Sequence, residues 1–163
     1  MGTEIIQQFD RVPDMYFDGP RRQWVLRFLL QDVIDYLSVK TTVDSEGDGT
    51  MPIKKVFTDK DRDLVLVFMR GAVSNVNMML ARRMLQPAEV NPDFVTFRLE
   101  VSENHDDNMT RILFSRIMDY LCEYVYIRWV GGDPQALSKM EDSIRSAMHY
   151  RKHFILRRTR NLL

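Results

Sequence analysis

What this chain has little of narrows its possible functions quickly. A single cysteine, Cys122, excludes an internal disulfide, and its place in an apolar helical pattern reads as a buried, inert thiol. Charge of neither sign is in excess: 23 basic and 23 acidic side chains cancel, which argues against a generic nucleic-acid coat. No apolar run approaches the roughly 18 residues that a membrane span requires, and the longest, at 64–69, reads as a core segment. The first residues lack a basic region followed by an apolar stretch, so no secretory signal is expected. Ile6 stands where a myristoylation signal needs Ser or Thr. The expected location is the cytoplasm, or a particle assembled there, without a membrane partner. Phosphate-cradling glycine loops, a nucleophile elbow and spaced Cys/His clusters are also missing, so no enzyme, catalytic residue, metal or cofactor is expected.

What is present suffices for one domain. At 163 residues with 45% hydrophobic and 28% charged side chains, the chain can bury a core without covalent staples. Its two halves look written on one template. Arg27-Phe28-Leu29-Leu30 followed by Val33-Ile34-Asp35-Tyr36-Leu37 matches Arg111-Ile112-Leu113-Phe114 followed by Ile117-Met118-Asp119-Tyr120-Leu121 at a constant offset. A second, shorter offset aligns Val65, Met69, Ala72, Val73 and Arg82-Arg83 with Met140, Ile144, Ala147, Met148 and Arg157-Arg158. The expected fold is therefore mainly α: a duplicated helical hairpin forming a four-helix bundle, with one or two short strands at the joins and extended termini.

Residues 1–20, punctuated by Val12-Pro13-Asp14 and Phe17-Asp18-Gly19-Pro20, read as an extended arm with aromatic anchors Phe9, Tyr16 and Phe17. The bundle domain spans 21–156, with hairpins at 21–85 and 107–156. Pro20 is expected to open a first helix over 21–40, because Leu26, Leu29 or Leu30, Val33 and Leu37 recur at helical spacing. A polar, glycine-rich loop at 44–49 follows, then a short strand at 53–57. Thr58 is an N-cap candidate, with Asp59, Asp61 and Asp63 behind it, for a second helix over 59–85. Beyond Pro87 and Pro92, Val95, Phe97, Leu99 and Val101 alternate with Thr96, Arg98 and Glu100, the period of a strand. A third helix is expected over 107–129. Gly131-Gly132-Asp133-Pro134 stops it and starts a fourth, a connection so short that the two helices must be antiparallel neighbours. The predicted core is Leu29, Val33, Leu37, Met69, Val73, Val76, Leu113, Ile117, Leu121, Met140, Ile144 and Met148.

Several motifs invite chemistry and fall short of it. His149 and His153 have helical metal-ligand spacing, but their neighbours Arg145, Lys152 and Arg157 would repel a cation. The loop from Asp44 resembles a calcium loop until its twelfth position, where Lys55 replaces the bidentate glutamate. Asp35-Tyr36 and Asp119-Tyr120 could be paired acids, yet a rim carboxylate beside a tyrosine that reaches a polar partner explains them better. The cations Arg151, Lys152, Arg157, Arg158 and Arg160 exceed what capping a helix dipole asks for, and are read as a partner-binding segment, with 157–163 a basic tail. Its charge opposes that of the acidic first 20 residues, a polarity able to align subunits.

Residues 107–160 combine Tyr126-Ile127-Arg128-Trp129 at a helix end, the turn at Gly131-Gly132-Asp133-Pro134 and a last helix running into arginines. In this the chain resembles the small helical neck proteins, or head-tail connectors, of tailed bacteriophages. The resemblance implies a ring-forming virion subunit whose C-terminal tail docks on a portal ring. The expected function is thus that of a structural, non-enzymatic assembly protein, a homo-oligomer that also contacts other virion proteins. The alternative is a DNA-associated regulatory module using the 151–160 cations, with nucleic acid a possible but unfavoured partner; an enzyme built on a helical bundle comes third.

Overall fold

The computed structural model describes residues 14–45, 57–101 and 106–148. The chain is mainly helical, with one small antiparallel sheet of three strands in the order β1-β2-β3. Strand β1 (Met15–Asp18) turns back through Gly19–Arg22 into β2 (Gln23–Leu29), which leads directly into helix α1 (Leu30–Ser45). A 3-10 turn at Asp59–Asp61 opens α2 (Arg62–Leu80), and β3 (Phe94–Glu100) follows it. Helix α3 (Asp107–Val130) is the longest among the described residues, and a 3-10 turn at Pro134–Leu137 leads into α4, described over residues 138–148.

The helix expected over 21–40 exists only from Leu30 onward, and residues 23–29 are a strand. Helical spacing of leucines misleads here, because Trp24, Leu26 and Phe28 also alternate, and aromatic and β-branched side chains fit a pleated surface better than a helix. β2 is the central strand, with both edges hydrogen-bonded: Leu26 sits opposite Met15 on one side and Phe97 on the other. Pro20 belongs to the β1–β2 turn, not to a helix start. That turn closes with Arg22 N–H donating to Gly19 O at 3.2 Å and needs Arg22 in the left-handed region, φ 52°. Asp44 and Ser45, expected in a loop, end α1. The rest of that loop and most of the strand expected at 53–57 lie outside the described residues.

Elsewhere local punctuation acts as expected. Thr58 N–H and its hydroxyl both donate to Asp61, fixing the turn before α2. Asp106 caps α3 by accepting from Asn108 N–H at 2.9 Å. Gly131, at φ 68°, ends α3 while Gly132 N–H donates to Ile127 O, and Asp133 then caps the next turn through Gln135 N–H with Pro134 behind it. Arg116 on α3 donates to Ser143 O on α4, and Tyr120 meets Glu141, so contacts descend one helix as they ascend the other: the pair is antiparallel.

Helix α3 is the hub. α2 packs on it antiparallel, with Asn75 at Tyr120 and Gly71 at Tyr124, and α1 packs beside it through Tyr36, Lys40 and Glu123. The first two helices thus meet principally on α3 rather than on each other, and Arg27-Phe28-Leu29 is strand where its counterpart Arg111-Ile112-Leu113 is helix. The core-facing side of the sheet presents Leu26, Phe28, Val95, Phe97 and Leu99, with Phe28 stacked on Phe114 of α3 at 4.5 Å between ring centres. Of the predicted core, Val33, Leu37, Met69, Val73, Val76, Leu113, Ile117, Leu121 and Ile144 are buried. Met140 and Met148 are half-buried against them, and Leu29 is half-buried on the sheet's other face.

Candidate interaction surface

Two polar clusters tie the helices to α3. Tyr36 OH donates to Glu123 Oε2 at 2.6 Å, while Lys40 Nζ donates to both Glu123 oxygens and to Tyr36, and lies 4.0 Å from the Tyr126 ring centre. Burial disfavours the Lys40 ammonium, yet its bonds to Tyr36 and Glu123 outweigh that and hold its pKa above the ordinary lysine value. Burial, followed by the hydrogen bond to Glu123, raises Tyr36. In the second cluster Asn75 Nδ2 donates to Tyr120 OH at 3.0 Å, and that hydroxyl donates to Glu141 Oε1 at 3.1 Å. Burial pushes Tyr120 up to about 12. The Asp35-Tyr36 and Asp119-Tyr120 pairs thus resolve as anticipated: both aspartates are exposed, and both tyrosines reach polar partners on other helices. Cys122 is buried and its thiol is pushed up to about 12, chiefly by burial and then by Asp119, which leaves almost no thiolate at neutral pH.

Among the sequence-predicted contact residues, Tyr16 and Phe17 lie on β1, an edge strand of the sheet. Their side chains leave opposite faces and are 37% and 48% exposed, with the Phe17 ring tilted against Trp24 at 5.7 Å. Over residues 15–18 the segment expected as an arm is a strand of the sheet, and Met15 packs on the core. Phe9, Arg151, Lys152, Arg157, Arg158 and Arg160 lie outside the described residues, as do His149 and His153. Among the described residues no cluster of three His, Cys, Asp or Glu side chains could hold a metal ion.

Sequence reasoning missed a cleft of about 1070 Å³ on the helix-free face of the sheet. Its floor includes Gln23, Thr96 and Arg98, and its wall is the 85–92 segment, which Asn77 clamps by accepting from Ala88 N–H and donating to Ala88 O, both at 2.9 Å. Gln23 Oε1 and Arg27 Nε are buried on this face without a hydrogen-bond partner among the described residues, although the Arg27 guanidinium lies 4.3 Å from the Phe94 ring centre. An unpaired buried polar atom costs about 1 to 3 kcal/mol, so this face has polar capacity to spare. No sequence signal separated Gln23 from an ordinary surface glutamine.

No protein-family model, characterised protein or solved structure matches the chain at a significant level.

Proposed function

We propose that this chain is a non-enzymatic assembly protein, acting through contacts with copies of itself and with partner proteins, in the specific form of a head-tail connector subunit of a tailed bacteriophage. The observation that carries the reading is β1: a four-residue edge strand that displays Tyr16 and Phe17 to solvent on its two faces. Exposed edges template pairing with another chain, and aromatic side chains are the usual anchors of protein contacts. The cations from Arg151 to Arg160 supply a second, charged contact for a portal-like partner, and the matching stripes of the two halves are read as a duplicated hairpin within the helical layer.

The test uses full-length protein. Wild type is expected to form an oligomer, alone or on meeting its partner, by light scattering after gel filtration, and a Tyr16→Ser, Phe17→Ser double variant is expected to fold normally yet lose it. Mass spectrometry of purified particles from a lysogen carrying the gene is expected to find the chain at ring stoichiometry. Particles that lack it sink the connector form of the proposal, and an aromatic variant that assembles normally sinks the edge-strand contact.

A further inference from the structure

The sheet is open along both of its outer edges, and the two edges fit each other. In an antiparallel ladder every second residue turns its N–H and C=O away from the partner strand. Arg27 N–H donates to Asp14 O, Leu30 N–H to Asp93 O and Val101 N–H to Arg22 O, which sets the phase of both ladders. Met15 and Phe17 of β1, and Thr96, Arg98 and Glu100 of β3, therefore turn their backbone groups outward. On the β3 side the 85–92 segment covers only the first part of the edge: Val90 bridges to Val95, and Asn91 N–H donates to Phe94 O at 3.1 Å. Before Val90 that segment diverges, because Asn77 holds both backbone groups of Ala88, and the cleft opens beside residues 96–100. Among the described residues no backbone hydrogen bond reaches Arg98 or Glu100 from that side.

We propose that this open edge of β3 receives β1 of a second copy of the chain, in parallel, so that the sheets of successive copies join head to tail. Residues 97–100 offer four positions, and β1 has four residues. β1 and β3 both run antiparallel to β2, so a copy set alongside without being turned over presents its β1 in parallel and keeps the helices of both copies on one side. The faces then agree: Met15 and Phe17 come beside Phe97 and Leu99 on the helix side, and Tyr16 beside Arg98 on the other. The hydrogen bonds agree as well, with Met15 N–H donating to Thr96 O and Phe17 N–H to Arg98 O, and Arg98 and Glu100 N–H donating back to Met15 O and Phe17 O. Phe17, 48% exposed, gains Leu85 of the cleft wall, 75% exposed. Asp18 enters the cleft where Arg21 and Arg98 have no ion pair among the described residues, two cations beside the single acid Glu100. Antiparallel docking would instead put Phe17 and Met15 on the helix-free face. Joining unlike edges does not close as a dimer; it generates a ring or a filament. The proposal rests on the assembly reading and names the surface that β1 binds.

Proline at an outward-facing edge position removes one donor and leaves the ladder to β2 intact, so Phe17→Pro blocks β1 and Arg98→Pro blocks β3. Sedimentation velocity of the full chain, from micromolar to submillimolar, tests the pairing. Wild type is expected to form species larger than a dimer. Each proline variant alone is expected to stay monomeric with the circular dichroism of wild type, and an equimolar mixture of the two to form a dimer and nothing larger, since one competent pair of edges remains. Arg98→Asp keeps the backbone donor and covers the case of a proline variant that does not fold: it is expected to weaken association on the order of 10-fold, and mixing it with Asp18→Arg to restore it. A wild type that stays monomeric, folded variants whose mixtures stay monomeric, or Arg98 variants that assemble as wild type does overturn the proposal. Assembly lost in Phe17→Pro but kept in both Arg98 variants removes β3 as the partner and leaves the β1 contact of the assembly reading standing. Assembly kept in both proline variants removes the two together.

Discussion

Gly71 lies in the middle of α2, where glycine costs about 1 kcal/mol relative to alanine, so Gly71→Ala ought to stabilise the helix. The structure says otherwise. A methyl group built on Gly71 would lie 2.5 Å from Tyr124 Oη, 3.3 Å from Cζ and 3.4 Å from Cε1. Tyr124 is only 8% exposed, so its ring cannot swing clear, and overpacking of this kind costs about 1 to 3 kcal/mol. The propensity gain offsets part of that, leaving Gly71→Ala destabilised by roughly 1 to 2 kcal/mol. Tyr124→Phe removes the obstructing oxygen and loses little else, because Arg128 reaches that hydroxyl only at 3.4 Å. In the Tyr124→Phe background the alanine is therefore expected to be neutral or to stabilise by up to ~1 kcal/mol, a coupling of roughly 2 kcal/mol. Urea unfolding of the four proteins, followed by circular dichroism with a common m value, measures it. Equal destabilisation by Gly71→Ala in both backgrounds would refute the steric account and leave the glycine without a packing reason.

Three further outcomes follow from the interior. Ile117→Ala, at a site with no exposed surface, should cost about 2 to 5 kcal/mol in urea; a variant as stable as wild type would show that α3 does not carry the core. Tyr120 titrates at about 12 when folded against about 10 unfolded, so the stability its neutral phenol contributes is complete below pH 10 and is lost as pH rises toward 12. Tyr120→Phe should flatten stability over that interval while costing about 1 to 3 kcal/mol at pH 7, where Asn75 and Glu141 lose their shared hydroxyl; an unchanged alkaline profile contradicts this. Cys122, with a thiolate fraction of about 10⁻⁴ at pH 8, should react with Ellman's reagent far more slowly than in urea-unfolded protein, and equal rates would place it at the surface.

Features with local causes were legible in the residues. Gly131, Asp133 and Pro134 each act on their own backbone, so the α3–α4 turn could be read directly, and β3 showed its period because exposed Arg98 and Glu100 alternate with buried Phe97 and Leu99. β2 failed for the opposite reason. Gln23 and Val25 are buried on one face and Leu26 and Phe28 on the other, so apolar Val25 and Leu29 obscure the alternation of Trp24, Leu26 and Phe28 and the leucine spacing suggests a helix. Its partner β3 is also distant in sequence, where no periodicity reports it. Of the contact residues, Tyr16 and Phe17 stood out as aromatics amid turn signals. The exposure of Leu64, Val67 and Met78 on α2 could not be read, since an apolar residue at helical spacing reads the same whether it faces a core or water.

The pairing of β2 with β3 has a consequence for synthesis. Leu29 finds Phe94, and Gln23 finds Glu100, only after about 70 further residues have been made. At about 5 to 20 residues per second that is an interval of several seconds. Throughout it Trp24, Val25, Leu26 and Phe28 have at most β1 beside them, and α3, the surface on which both earlier helices pack, has yet to leave the ribosome. A nascent chain cut short before α3 therefore holds no separable folded piece. Slowing or chaperoning the middle of translation should decide yield more than any change to the finished protein's stability.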